Sequence, residues 1–244
     1  MNLRSLLRIK FINIQGLTYQ KYLELEELID DDTILCVTET QQKIDKLNIR
    51  KNLIKITQMR KKESKKGGGL MIITKQNSNI EIEDIKTLHE DCLQMQVKFG
   101  NLNFKLITVY MSCHHKENKE LNNQIERAIQ QNYETEPMLI VGDFNAHLGV
   151  IIPDTLNENG RTLLKWLEQY NLILLNNDPK CQGTYTWSSR GQKSIIDYAI
   201  INQKMYQNFK HMNIDEENEI FDISDHNLIE VKLHQNQKVN QKDS

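Results

Sequence analysis

The chain has 244 residues, of which 39% are apolar and 26% charged, with a formal net charge of −2. Such a composition is that of a soluble globular protein, and no apolar run approaches the roughly 18 residues a membrane span needs. The slight negative charge argues against a generally basic nucleic-acid coat but leaves room for local basic contacts. Cys36, Cys92, Cys113 and Cys181 lie far apart with no CxxC spacing, which suggests neither a zinc site nor a disulfide framework and points to a reducing compartment, nuclear or cytoplasmic. Arg4 and Arg8 flank a leucine pair too brief for a signal peptide.

In chain order, alternation predicts a first strand over Arg8–Asn13. A helix follows in which Tyr22, Leu25, Leu28 and Ile29 share a face, with Thr18 as its N-cap. Ile34–Val37 reads as a short buried strand. Arg60, Lys61, Lys62, Lys65 and Lys66 then form a dense basic stretch just before Gly67-Gly68-Gly69, which reads either as a solvated loop or as one that contacts phosphates. Leu70–Thr74, Leu93–Phe99 and Asn103–Tyr110 are the next strands, and Leu121, Ile125 and Ile129 mark a second helix. Met138–Val141 is another apolar strand. The third helix is mostly apolar (Leu163, Leu164, Trp166, Leu167, Tyr170), so deep packing is expected, with Trp166 in the core and not against a ligand. Ile195–Ile201 and Leu228–Leu233 complete the set.

There is no internal repeat and no Pro/Gly-rich linker, so one domain is expected over residues 1–234, followed by a disordered polar tail over 235–244. Strands interleaved with helices over this length fit an α/β (α+β) sandwich of four layers, with two mainly antiparallel sheets packed face to face and helices on the outer surfaces.

Chemistry concentrates where the apolar runs stop. Met138–Val141 leads into Gly142-Asp143-Phe144-Asn145, a carboxylate and a carboxamide at a strand's mouth. Three other acidic motifs stand at comparable places: Thr38-Glu39-Thr40, Ile196-Asp197-Tyr198 and Ser224-Asp225-His226. Asp197 lies within an apolar strand, where a buried charge needs a partner, and His226 is the obvious candidate. Asp143 and His226 are expected at strand mouths, outside the main apolar packing. Together these groups point to a metal-dependent phosphodiesterase.

The combination resembles the endonuclease/exonuclease/phosphatase superfamily, and more particularly the endonuclease domain of non-LTR (LINE-type) retrotransposons. The likeness runs from Asn13 to about Leu233. It is carried by Ile12 to Leu17, Thr38-Glu39-Thr40, Val109-Tyr110, Gly142 to Asn145, Ser194 to Asp197 and Ser224-Asp225-His226. Thr184-Tyr185-Thr186-Trp187-Ser188 and Asn157-Glu158-Asn159-Gly160-Arg161 resemble the retroelement branch in particular.

The resemblance implies roles. Glu39, with Asn13 and Asp225, would hold Mg²⁺, or Mn²⁺ in its place, through oxygen ligands. His226, oriented by Asp197, would contact the scissile phosphate, and Asp143 would handle the proton of either the attacking water or the leaving group. Tyr110 and Asn145 would donate hydrogen bonds to phosphate oxygens. Ser194 and Thr186 would touch the substrate backbone near the cut, and Arg60, Lys61, Lys62, Lys65 and Lys66 would bind phosphates.

Two departures stand out. Tyr110 is followed by Met111-Ser112-Cys113, where the family often has Pro and Asn, which implies a less rigid loop and one phosphate contact fewer. Gln15 occupies a position where repair-type members carry Asp, which implies weaker metal affinity and points away from repair. The leading expectation is a Mg²⁺-dependent endonuclease that nicks one strand of duplex DNA to leave a 3′ hydroxyl. DNA is then the expected partner, with a reverse transcriptase in the same or a separate polypeptide. The alternatives are an apurinic-site repair nuclease, an RNA-directed nuclease or deadenylase, and a non-catalytic binding descendant. No apolar docking loop suggests a membrane partner.

Overall fold

The computed structural model describes residues 6–41, 52–58, 67–217, 220 and 223–235. Among them, the strands in chain order are β1 (Leu6–Asn13), β2 (Thr33–Thr38), β3 (Leu53–Gln58), β4 (Leu70–Lys75), β5 (Ile80–His89), β6 (Cys92–Phe99), β7 (Leu102–Tyr110) and β8 (Met138–Asp143). They continue with β9 (Ile173–Leu174), β10 (Cys181–Gln182), β11 (Trp187–Ser189), β12 (Gln192–Ser194), β13 (Asp197–Ile201), β14 (Phe209–Ile214) and β15 (Ile229–His234). The helices are α1 (Tyr19–Glu27), α2 (Lys119–Asn132), α3 (Glu158–Gln169) and the single turn α4 (Gln203–Tyr206).

Two large sheets form, with strand orders β10-β14-β15-β1-β2-β4-β3 and β5-β6-β7-β8-β13-β9, and a small ribbon joins β11 to β12. Pairing is mainly antiparallel. The parallel pairs are β1 with β2, β10 with β14, and β7 with β8.

Burial explains the layering. Leu7, Ile9 and Phe11 of β1 face Val97, Phe104 and Leu139 of the second sheet in one apolar cluster, so the sheets stack face to face. On the outer face of the second sheet, Ile107, Val109 and Ile140 pack against Ile125 and Ile129 of α2 and Leu163 and Trp166 of α3. On the outer face of the first, Ile12, Leu35 and Met71 pack against Tyr22 and Leu25 of α1. The result is the expected four layers. α1 has only nine residues, too short to be stable alone in water. Its Thr18 cap accepts from Lys21 N at 3.2 Å, and burial of Tyr22 and Leu25 supplies the rest, roughly 1.5–3 kcal/mol for each large apolar side chain. Trp166 is 2% exposed, a core residue as expected. Leu164 and Leu167 of the same helix lie at the edge of that cluster, half-buried.

Strand boundaries differ from the sequence reading, two of them for identifiable reasons. β13 begins at Asp197 and not at Ile195, because the Thr186 hydroxyl takes the backbone N–H groups of Ile196 and Asp197, both at 3.0 Å. β15 runs through His234, whose N–H and C=O both meet Asn208, so the pairing reaches the end of the expected domain. β3, β5, β9, β10, β11, β12 and β14 were not anticipated. The expected tail falls, after Gln235, outside the described residues. No helix among the described residues is long and apolar enough to cross a membrane.

Candidate active site

Strand register assembles the site. β7 and β8 run parallel with Tyr110 opposite Asp143, and β8 and β13 run antiparallel with Asp143 opposite Asp197. One row across the second sheet therefore carries all three. The first sheet faces it with Asn13 opposite Thr38, so that Glu39 leaves β2 just beyond Asn13. The segment between β14 and β15 closes the gap. His226 bridges to Trp187, Ser188 N donates to Asp225 O, and the Ser224 hydroxyl donates to Asn13 O at 2.6 Å.

Asp143, Asp197 and His226 are respectively 1%, 0% and 4% exposed. Asp197 is buried as its strand implied, whereas Asp143 and His226 lie within the packed interior and not outside it as expected. His226 Nδ1 bonds Asp197 Oδ2 at 2.9 Å and Oδ1 at 3.1 Å, the pairing that the buried carboxylate required. Burial opposes charge on His226. The Asp197 charge and hydrogen bond, helped by the Asp143 and Asp225 charges, outweigh it and raise the imidazole to about 9. Burial first, and then the Asp197 charge across the strand pair, push Asp143 up to about 8. The positive His226 and hydrogen bonds from Asn145 N and the Asn13 amide oppose that rise. Asp143 Oδ2 accepts from Asn13 Nδ2 at 2.8 Å and from Asn145 Nδ2 at 3.2 Å, while its Oδ1 accepts from Asn145 N at 2.8 Å. The second Asn145 amide proton goes to Met111 O at 2.8 Å.

The expected metal ligands are linked by neutral amides. Asn13 Nδ2 donates to Glu39 Oε1 at 3.2 Å, and Gln41 Nε2 to Glu39 Oε2 at 2.9 Å. Asp225 Oδ2 accepts from Gln15 Nε2 at 3.0 Å and Trp187 Nε1 at 2.9 Å. Its Oδ1 is buried without a hydrogen-bond partner, 3.8 Å from His226 Nε2. The unpartnered, buried Oδ1 of Asp225 and the Glu39 carboxylate, held by neutral amides, are the hard oxygen donors that a divalent cation takes, so these residues fit one. Asp143, Asp197 and His226 also bring ligand atoms within 4.8 Å of one another. A cation that took His226 Nδ1 would displace the hydrogen bond to Asp197, whereas one that took Nε2 would leave it in place.

Backbone geometry aims these groups. Gln15 (φ 46), Glu39 (φ 54) and Asn145 (φ 44) are all left-handed, an uncommon state for non-glycine residues that concentrates at functional sites. The glycine triplet walls in Glu39 and is part of the site's frame. Gly68 O and Gly69 O accept from Gln41 N and Thr40 N, and all three glycines have φ near +80. A Cβ on Gly67 would lie 2.5 Å from the Tyr110 hydroxyl and 3.5 Å from the Glu39 carboxyl carbon, so Tyr110 and Glu39 share one pocket wall.

Of the expected substrate contacts, Ser194 sits in β12, half-buried, with its carbonyl taking the Thr186 N–H. Thr186 needs correcting. It is 0% exposed, and its hydroxyl is committed to the start of β13, so it positions Asp197 from beneath and does not touch substrate. Arg60, Lys61, Lys62, Lys65 and Lys66 lie outside the described residues. The expected looseness of Met111-Ser112-Cys113 also needs correcting. Asn118 Oδ1 accepts from Ser112 N at 2.9 Å, and Asn118 Nδ2 and Asn159 Nδ2 donate to Ser112 O at 2.7 and 3.0 Å. Asn159 Nδ2 also reaches Phe144 O at 3.0 Å and Asn145 O at 3.3 Å, clasping the Tyr110 loop to the Asp143 loop. Their positioning role was missed. The available signal was spacing: Asn118 precedes Leu121, Ile125 and Ile129, and Asn159 precedes Leu163, Trp166 and Tyr170, at helical intervals that put each asparagine on the apolar stripe.

Residues 104–230 match the sequence model of a family described as endonuclease-reverse transcriptase. No curated protein sequence matches the chain. Solved structures share the fold. The endonuclease domain of TRAS1, a telomere-specific non-LTR retrotransposon, superposes with a TM-score of 0.74 at 16% identity, covering 96% of this chain and 100% of that one. The AP endonuclease LMAP from Leishmania major gives 0.76 at 11% identity, covering 96% of this chain and 89% of that one. The 3′ phosphatase NExo from Neisseria, bound to a product DNA hairpin, gives 0.71 at 16% identity, covering 93% and 99%.

The raised His226 pKa has a measurable consequence in metal-free protein. The folded value (about 9) lies above the ordinary 6.5, so the stability it adds is complete below about pH 6.5 and is lost as pH rises through about 9. Asp143 acts in the same direction, because its anion is disfavoured in the folded state. Imidazole resonances followed by NMR should place the His226 midpoint near 9, and Asp197→Asn should lower it by about one unit or more. An unmoved midpoint would dissociate Asp197 from the charge on His226.

Proposed function

This chain belongs to the endonuclease/exonuclease/phosphatase superfamily, and on that premise we propose that it is a Mg²⁺-dependent endonuclease that nicks one strand of duplex DNA and leaves a 3′ hydroxyl. Membership makes it a nuclease or phosphodiesterase. The observation that carries the finer reading is the single row of Tyr110, Asp143 and Asp197, with His226 bonded to Asp197.

His226, its Nδ1 held by Asp197, presents Nε2–H to the scissile phosphate and lends it positive charge. Asp143 manages a proton, from the attacking water or to the leaving oxygen, and the amides of Asn13 and Asn145 hold its carboxyl in place. Tyr110 donates to a phosphate oxygen from the wall it shares with Glu39. Asn145 does the same by exchanging one of its present acceptors, Met111 O or Asp143 Oδ2, for phosphate. Glu39, Asn13 and Asp225 would hold Mg²⁺, which supplies neutralisation of the charge that builds on the phosphate and the leaving oxygen; Mn²⁺ suits the same oxygens.

DNA as substrate is supported by the neighbour bound to a DNA hairpin. Priming by the released 3′ hydroxyl is supported by the retrotransposon neighbour and by the family's description, which makes a reverse transcriptase, in the same or a separate polypeptide, the proposed partner. Nuclear or cytoplasmic residence belongs to the same proposal.

Supercoiled plasmid incubated with and without Mg²⁺ tests the reading directly, with rates compared on an abasic duplex, poly(A) RNA and inositol polyphosphates. Preference for either of the last two overturns DNA nicking, and strong selectivity for the abasic duplex moves the chain to repair. Asp143→Asn and His226→Gln, each with circular dichroism as a check on folding, should cut nicking by about 10²-fold or more, the scale of positioned proton and phosphate groups. Retention of a tenth of wild-type rate would remove the assigned roles. Glu39→Gln should shift the Mg²⁺ titration to higher concentration, because a neutral amide replaces an anionic ligand; an unchanged curve would take Glu39 out of the metal site. Asn159→Ala should lower kcat by about 10-fold and cost about 1–3 kcal/mol of stability in denaturant melts, since the two loops it clasps lose their shared donor.

A further inference from the structure

A second imidazole is built into the chain in the same manner as His226. His147 Nδ1 bonds Asp154 Oδ2 at 2.8 Å, and Asp154 Oδ1 accepts from Gly149 N at 2.8 Å. Its backbone is pinned on both sides. His147 N donates to Asn157 Oδ1 at 3.1 Å, and His147 O receives Asn157 N and lies so close to Gly160 that a Cβ there would sit 2.1 Å from it. Unlike His226, the ring reaches solvent, with 34% of the side chain exposed, and Nε2 has no partner among the described residues.

The alternation after β8 sets its direction. Phe144, Ala146 and Leu148 are all buried in the cluster beneath α2 and α3, whereas Asn145 and His147 stay out of it. Asn157 ties the two together, its amide on Asn145 O at 2.8 Å and its side-chain oxygen on His147 N. Two residues span at most about 7 Å, and successive nucleotides rise about 3.4 Å along a duplex. His147 therefore lies within a nucleotide or two of the phosphate that Asn145 engages.

We infer that His147 is a substrate-binding residue that holds a phosphate flanking the scissile one on the DNA, with Asp154 as its positioning partner. This rests on the DNA-nicking reading above. A phosphate oxygen arriving at Nε2 makes that nitrogen a donor, and the imidazole bridges two anions, Asp154 and the backbone phosphate. A prepositioned ring loses little side-chain freedom on binding, which is where such a contact gains over a flexible lysine.

The test compares supercoiled plasmid with the 4-nitrophenyl ester of thymidine 5′-phosphate, which carries a cleavable phosphodiester and no flanking phosphate. His147→Ala should raise KM on plasmid about 10-fold, leave kcat within about threefold and leave turnover of the small ester within about twofold, as expected for a lost charge-assisted hydrogen bond away from the chemistry. Asp154→Asn should move the plasmid KM in the same direction. His147→Gln, which keeps a side-chain donor and serves if the alanine variant folds poorly, should recover part of the loss. Equal loss on both substrates, or an unchanged plasmid KM, overturns the inference while DNA nicking stands. Wild-type turnover of the ester with no action on duplex DNA overturns the nicking proposal, and this contact with it.

Discussion

The carboxylate of Asp197 has no access to water, and the rest of the site is arranged around that fact. An isolated buried carboxylate costs several kcal/mol, so it is retained only with a partner of good geometry. The partner comes from elsewhere: Asp197 begins a strand of one sheet, while His226 stands between β14 and β15 of the other. The dyad is thus also a tie between the sheets at the mouth of their interface. Directly across the strand pair lies Asp143, a like charge in the position where like charges repel most. Two buried carboxylates then share one imidazolium's worth of compensation. The surplus of carboxylates raises the imidazole, and burial together with the Asp197 charge raises the Asp143 carboxyl.

Around this centre the chain accepts left-handed conformations at non-glycine residues. Glu39 leaves β2 with a left-handed residue, as does Asn145 just past β8, and each turn swings a side chain out of the strand direction into the space between the sheets. Such residues cost of order 1–3 kcal/mol each and persist only where the surroundings over-determine them. Here the surroundings are hydrogen bonds: Gly16 N and Leu17 N on the carbonyls of Glu39 and Thr40, the Gly68 and Gly69 carbonyls on the following amides, and the side chains of Asn157 and Asn159 on Asn145 O. All three glycines are left-handed, and a Cβ would lie 2.5 Å from the Tyr110 hydroxyl at Gly67 and 2.5 Å from the Thr40 hydroxyl at Gly69.

How much could be read from the sequence follows from what the residues do. β2, β4 and β8 are buried along almost their whole length, so their apolar runs announced them, and the carboxylates that ended those runs announced the site. β5 carries Glu81, Glu83, Asp84 and Lys86 among its apolar residues and is mostly exposed, so its pairing with β6 is made by backbone groups that leave no mark on side-chain pattern. The Asp197–His226 pair was legible because burying a charge demands an answer. Thr186 was misread for the converse reason: a hydroxyl that satisfies two backbone donors underneath a strand looks, in sequence, like one that faces a ligand.

The departures from the family pattern close the argument, since each is met by a different physical device. A proline after Tyr110 would stiffen the loop through its own ring. Met111-Ser112-Cys113 has no such ring, and stiffness comes instead from two buried asparagines that saturate the Ser112 backbone and reach across to Phe144 O and Asn145 O. Stiffness has moved from the backbone to side chains on α3 and just before α2, which makes the site depend on how those helices dock. Gln15 works similarly. A carboxylate there would set a second negative charge directly against Asp225. The amide instead donates to Asp225 Oδ2 and, with Trp187, fixes that carboxylate so that its other oxygen is the one left without a partner. Charge has been exchanged for orientation: one anionic ligand fewer to attract a cation, and one of the remaining ligands already held in place before the cation arrives.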